Sequence, residues 1–184
     1  MKRACKILSL IALAVPFILG NPMVVAKEYI VEAIIFENAL DSNITEPHAY
    51  QAPKKPRTGA KAWVLEKQLL LEQADALEAS PDYELRYHFA WGQESLPYRN
   101  SATYTVVEND ARGYIKVYAD QLLFANIDID YKGFRLFEKR RLKLNEKHYF
   151  DHPKFGVLIQ VSRLEPVTEE LLLDQDNQDN QDGP

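Results

Sequence analysis

A chain of 184 residues with a formal charge of −5 and one cysteine has the length of one ordinary domain with its own core. That balance argues against a nucleic-acid binder, which needs a basic footprint. The cysteine, Cys5, lies in the leader described next and leaves the remaining chain no thiol for a disulfide, a zinc site or a nucleophile.

The first residues carry Lys2, Arg3 and Lys6, an apolar run from Ile7 to Leu19, and then Val24-Val25-Ala26. This order predicts a secretory signal peptide over 1–26, cut after Ala26. The run is shorter than the about 20 apolar residues that span a bilayer, so no transmembrane segment is expected after cleavage. Cys5 precedes the apolar run, which rules against an acylated lipoprotein cysteine. The expected destination is the periplasm.

Residues 27–164 read as one domain and 165–184 as an acidic, disordered tail. The tail carries Glu165, Glu169, Glu170, Asp174, Asp176, Asp179 and Asp182 without a base, and its end, DQDNQDNQDGP, has nothing apolar to bury. Its Asp spacing lacks the glycine turn and terminal glutamate of a calcium loop.

Tyr29–Phe36 is β-branched, aromatic and almost continuously apolar, which predicts a strand buried on both faces at the centre of a sheet. Residues 37–60, with Pro47, Pro53, Pro56 and Gly59, predict a long loop. Leu65, Leu69, Leu70 and Leu77 then recur at helical spacing and predict a helix over 61–79 lying across the sheet. Next, Tyr83, Leu85, Tyr87, Phe89 and Trp91 alternate with Glu84, Arg86, His88 and Ala90. That pattern predicts a half-buried strand with all five large residues on its core side and His88 on a polar side. A short strand follows at Thr103–Val107.

Lys132-Gly133 predicts a two-residue hairpin turn. In that register Tyr131 faces Phe134, Ile129 faces Leu136 and Leu123 faces Leu142. On the other side Asp130 meets Arg135, Asp128 meets Phe137, Asn126 meets Lys139, Phe124 meets Arg141 and Leu122 meets Lys143. The exposed side then gathers Arg135, Lys139, Arg141 and Lys143 among Phe124 and Phe137. Taken singly, these are solvated stems on a sheet face. As a patch they suit a polymer of sugars and carboxylates, so they form the candidate binding set.

The stretch HYFDHPKFGVLIQV (148–161) ends in an alternating strand and places Pro153 at a turn. Held extended, His148 and His152 lie about 13 Å apart at ~3.3 Å per residue. That argues against a shared zinc, so no metal and no cofactor is expected. Asp151 and His152 are expected to satisfy backbone groups in a buried turn, with Tyr149 and Phe155 packed beneath. The serines show neither a G-x-S-x-G elbow nor an S-x-x-K pair, so no catalytic residue is assigned. Paired carboxylates for glycoside cleavage leave a sequence trace too weak to read.

YIVEAIIFE, YELRYHFAWGQ, RRLKL and EKHYFDHPKFGVLIQV, in this order from Tyr29 to Leu164, resemble the CsiV family of periplasmic peptidoglycan-binding proteins. The most specific elements are Trp91 and Gln93 of AWGQ, and His148, Tyr149, Asp151, His152, Pro153 and Gly156 after Arg140-Arg141. The resemblance implies a non-enzymatic accessory that binds peptidoglycan. It also implies support of a class A penicillin-binding protein through that enzyme's outer-membrane lipoprotein activator. Two other classes remain open: a protein-only interaction module docking by its loop or tail, and a carbohydrate-active wall hydrolase. The expected fold is α+β, a single domain with a mainly antiparallel sheet covered by at least one helix.

Overall fold

A computed structural model describes residues 27–39 and 51–164. The leader, residues 40–50 of the 37–60 loop with His48, and the acidic tail fall outside the described residues. The elements run β1 (Glu28–Asn38), β2 (Trp63–Val64), α1 (Leu71–Glu78), β3 (Tyr83–Glu94), β4 (Tyr104–Val107), β5 (Ala111–Ala119), β6 (Leu123–Tyr131), β7 (Phe134–Arg141), β8 (Lys147–His152) and β9 (Phe155–Leu164). They form two antiparallel sheets, ordered β2-β3-β1-β9-β8 and β4-β5-β6-β7, so the arrangement is α+β and mainly antiparallel.

β1 is central in the first sheet, between β3 and β9. Its Val31, Ala33 and Ile35 join Val157, Ile159 and Val161 of β9 in one core with Ile115, Val117, Ile127 and Ile129 of the second sheet. Its alternate residues Ile34 and Phe36 pack instead with Leu70 and Ala74 at the helix. Burial on both faces is the reason β1 is apolar without alternation. Each large side chain so buried contributes roughly 1.5–3 kcal/mol.

The helix is much shorter than its leucine spacing predicts. At ~1.5 Å per residue α1 is about 12 Å long, and Trp63-Val64 pairs with β3 as an edge strand. The cause is tertiary. Trp63 stands opposite Gly92, where a Cβ would fall 2.1 Å from the Trp63 Nε1, and the Leu65 N–H donates to the Ala90 carbonyl. These contacts hold 63–65 extended at the sheet edge.

The helix start is set by Glu32 of β1. Its carboxylate accepts the N–H groups of Gln68 (2.8 Å), Leu69 (2.7 Å) and Leu70 (3.1 Å). This replaces the side-chain cap that Leu70, at the N-cap, cannot supply. Oε1, the oxygen that accepts from Leu70, also lies 2.5 Å from His88 Nε2. Both side chains are buried, so His88 does not lie on a polar surface as expected.

The aromatic alternation of β3 is interrupted by a bulge. Ile35 pairs with Tyr87 but Phe36 pairs with Leu85, leaving Arg86 as the extra residue. Tyr87, Phe89 and Trp91 therefore face the core between the sheets, whereas Leu85 joins the helix-side cluster and Tyr83 meets Phe36 edge-on. The five large residues do not share one side. The bulged Arg86 turns to Glu84 and to Asp110, the latter at 3.0 Å.

The second sheet is a meander of consecutive hairpins. The turn at Lys132-Gly133 has both residues at positive φ (51° and 87°), and it imposes the register Tyr131–Phe134, Ile129–Leu136 and Phe124–Arg141. Leu142 donates its N–H to the Leu123 carbonyl, extending that register past the strand end. Strand β5, absent from the sequence reading, pairs along its whole length with β6. It approaches so closely at Gly113 (φ 150°) that a Cβ would lie 2.1 Å from the Asp128 carbonyl oxygen.

Candidate functional site

In the meander, Ile115, Val117, Ala125, Ile127, Ile129 and Leu136 point into the core. Period-two geometry sends their neighbours outward. Cross-strand pairs then place Tyr118 beside Phe124, Phe124 beside Arg141, Asn126 beside Lys139, Asp128 beside Phe137 and Asp130 beside Arg135. The register thus brings Phe124, Arg135, Phe137, Lys139 and Arg141 onto one face. Lys143 is not part of it: it lies beyond β7, its N–H donates to His148 Nε2 (3.0 Å), and its ammonium pairs with Glu146 (3.0 Å).

These cations differ in how far they are neutralised. Arg135 is held by two bonds to Asp128 (2.7 and 2.9 Å), and its guanidinium also lies 5.3 Å from the Phe137 ring centroid. Lys139 sits over both Tyr118 and Phe124, at 5.7 and 5.3 Å, and those two rings stack at 5.5 Å. A hydrogen bond with Tyr118 raises the Lys139 pKa. Arg141 is exposed and has no hydrogen bond or ion pair among the described residues. Phe137 is 65% exposed.

Residues 51–60 cross this same face as a strap. The Lys54 N–H donates to Asp128 (2.9 Å), and the Ala60 N–H to the Asn100 carbonyl (2.7 Å). Lys116, fully buried, rises from β5 and donates to the carbonyls of Arg57 (2.7 Å) and Ser101 (2.8 Å), with Thr103 Oγ1 at 3.3 Å. No carboxylate faces its ammonium among the described residues, and burial pushes its pKa down to about 8. The sequence reading missed this residue. Its only trace there is a lysine inside the apolar run Tyr114-Ile115-Lys116-Val117-Tyr118.

Between the strap and the meander lies a groove of about 270 Å³. Lys54, Lys55 and Pro56 form one wall and Arg135 and Phe137 the other. Tyr114, Asn126 and Asp128 lie below, and Tyr98 completes the lining.

The 148–161 stretch forms the β8–β9 hairpin. Tyr149 stacks on Phe36 at 5.7 Å, across a position where any Cβ on Gly156 would lie 2.5 Å from both rings. Asp151 is exposed and accepts from the Tyr149 hydroxyl (2.6 Å), not from a backbone group. His152 Nδ1 accepts from the Lys154 N–H (3.1 Å), and its ring lies beside Phe134 and Phe155. The turn at Pro153 is at the surface, not buried, because the outermost strand pair carries it. Arg140 joins this hairpin to the meander, donating to the Tyr149 carbonyl (2.7 Å) with its guanidinium 4.8 Å from the Phe150 ring centroid.

Trp91 and Gln93 tie the two sheets together. The indole N–H donates to Gln93 Oε1 (3.0 Å), Gln93 Nε2 donates to the Val117 carbonyl (2.9 Å), and Trp91 stacks on Tyr104 at 4.3 Å. Among the described residues no three His, Cys, Asp or Glu side chains are grouped to hold a metal ion. No helix among them is long and apolar enough to cross a membrane.

No curated protein and no solved structure matches the chain. Residues 115–164, from β5 through β9, match the family described as peptidoglycan-binding protein, CsiV. The matched span starts inside β5 and leaves out β4; it holds the β6–β7 part of the outer face and the 148–161 hairpin, and it is narrower than the Tyr29–Leu164 resemblance read from the sequence.

Proposed function

We propose that this protein is a non-enzymatic peptidoglycan-binding accessory of the periplasm, and that the outer face of the β4–β7 sheet contacts the polymer. The observation that carries this reading is the CsiV match over 115–164, which contains Phe124, Phe137, Lys139 and Arg141 of that face. Rings beside unneutralised cations suit a polymer that alternates apolar sugar faces with carboxylates. Glu32 and His88, the buried acid and base at 2.5 Å, are engaged with each other and with the helix start, which favours a structural role for them.

Following the same resemblance, the protein supports wall synthesis by a class A penicillin-binding protein through its outer-membrane lipoprotein activator. Purified sacculi test the first part: the protein is expected in the pellet after co-sedimentation, and complete recovery in the supernatant overturns the reading. Capture of the activator with and without sacculi tests the second part.

A further inference from the structure

The groove under the strap carries more specific chemistry than a charged face. Its Arg135–Asp128 pair is internally neutralised and also anchors the strap through the Lys54 N–H. What remains for a ligand is different in kind. The ammonium groups of Lys54 and Lys55 have no carboxylate partner among the described residues. Among the described residues Asn126 Oδ1 is buried without a hydrogen-bond partner, a state that stays unfavourable until a donor arrives. Rotation of that amide presents either a donor or an acceptor to the groove. Phe137 offers a mostly exposed ring at the rim.

The volume, about 270 Å³, lies below the ~300–1,000 Å³ that accommodates drug-sized ligands, so it suits one ring and not an extended chain. A peptide added as a strand would need an unpaired strand edge in the groove floor. β5 and β6, beneath the groove, are interior strands whose backbone is engaged on both sides.

We propose that this groove is a subsite for a single N-acetylated amino-sugar ring of the wall polymer. Asn126 meets its amide or hydroxyl groups, Phe137 lies against its apolar face, and Lys54 and Lys55 hold a carboxylate carried by that sugar or its peptide. The proposal rests on the wall-binding reading and adds the ligand unit to it.

The test titrates the purified protein with the N-acetylglucosaminyl–N-acetylmuramyl disaccharide bearing its stem peptide, and separately with the free stem peptide, alongside sacculus co-sedimentation. The disaccharide-peptide is expected to bind and the free peptide not. Phe137→Ala is expected to weaken binding about tenfold, the upper range for losing one aromatic contact. Asn126→Leu is expected to weaken it similarly, and Lys54→Gln with Lys55→Gln to remove its salt dependence. Phe137→Ala changes an exposed side chain, and an unchanged melting temperature verifies that it folds. Wild-type pelleting with all variants unaffected, or binding of free stem peptide equal to the disaccharide-peptide, overturns the subsite and leaves the wall-binding reading intact. A wild type that does not pellet overturns the broader reading itself.

Discussion

Each outer face of the sandwich holds a stretch of chain by one buried ionisable side chain rising from the sheet. On the β1 side Glu32 accepts three backbone N–H groups and starts a helix. On the β5 side Lys116 donates to two backbone carbonyls and fixes a strap. The two differ in their surroundings. Glu32 has His88 at 2.5 Å and an apolar cushion of Ile34, Phe36, Leu70 and Ala74. Lys116 has no carboxylate partner among the described residues and lies 5.1 Å from the Tyr98 ring centroid. The first face is therefore fixed by hydrogen bonds and packing, whereas the second is fixed by a cation whose charge is disfavoured where it sits. The face with the less settled anchor is the one with the groove and exposed aromatics.

The largest expected effect comes from breaking the first anchor. Glu32→Ala strands three N–H groups and His88, and at about 1–3 kcal/mol for each buried group left unsatisfied it should lower the unfolding free energy by roughly 3–5 kcal/mol. Urea denaturation measures this, and a loss below about 1 kcal/mol would show that water replaces the carboxylate freely. On the same face, Gly156→Ala drives a methyl between Phe36 and Tyr149 and should cost about 1–3 kcal/mol, read from the melting curve.

The second anchor is sharpened by pH. The native Lys116 pKa is about 8 against an ordinary 10.5, so between these values the unfolded chain binds more protons and this group's contribution to stability rises with pH. That contribution falls away as pH drops toward 8. Burial raises the pKa values of Tyr104, Tyr131 and Tyr149 above their ordinary 10, with hydrogen bonds to Glu37 and Asp151 adding to the last two. These groups act in the opposite sense above that point, so pH 8 to 10 is the window to compare. Lys116→Met should abolish the rise in stability across that window, and it leaves the Arg57 and Ser101 carbonyls without this donor, a loss of about 1–3 kcal/mol. A rise undiminished in the variant assigns it elsewhere.

Arg141→Ala should be smallest in stability, within about 0.5 kcal/mol, because the side chain is exposed and has no partner among the described residues. Its sacculus pelleting should nonetheless weaken. Unchanged pelleting would remove Arg141 from the binding face.

What could be read in advance follows from how local the cause is. The β6–β7 register was legible because a Lys-Gly turn and period-two alternation set it within a few residues, and that register also places the candidate face. The helix length was not, since Trp63 is drawn to the sheet by the absence of a side chain on Gly92. The Arg86 bulge leaves no mark on an alternating pattern, so the facing of Leu85 was misread. Strand β5 was obscured by Gly113 and Lys116, whose reasons lie in Asp128 and the strap. Within the site, positions were legible but the state of each charge was not. Arg135 looks available until Asp128, bridged to the distant Lys54 backbone, is seen to hold it.

The placement of β1 between β3 and β9 has a consequence for assembly. The four-strand meander closes through neighbouring hairpins and can form early, since short loops cost little entropy. The first described strand, by contrast, must wait for the last one, pairing Glu28 with Leu164. Until β9 arrives, one edge of the most apolar strand stays open to stray pairing. A chain truncated before Phe155 is therefore expected to aggregate even though every residue of the meander is present.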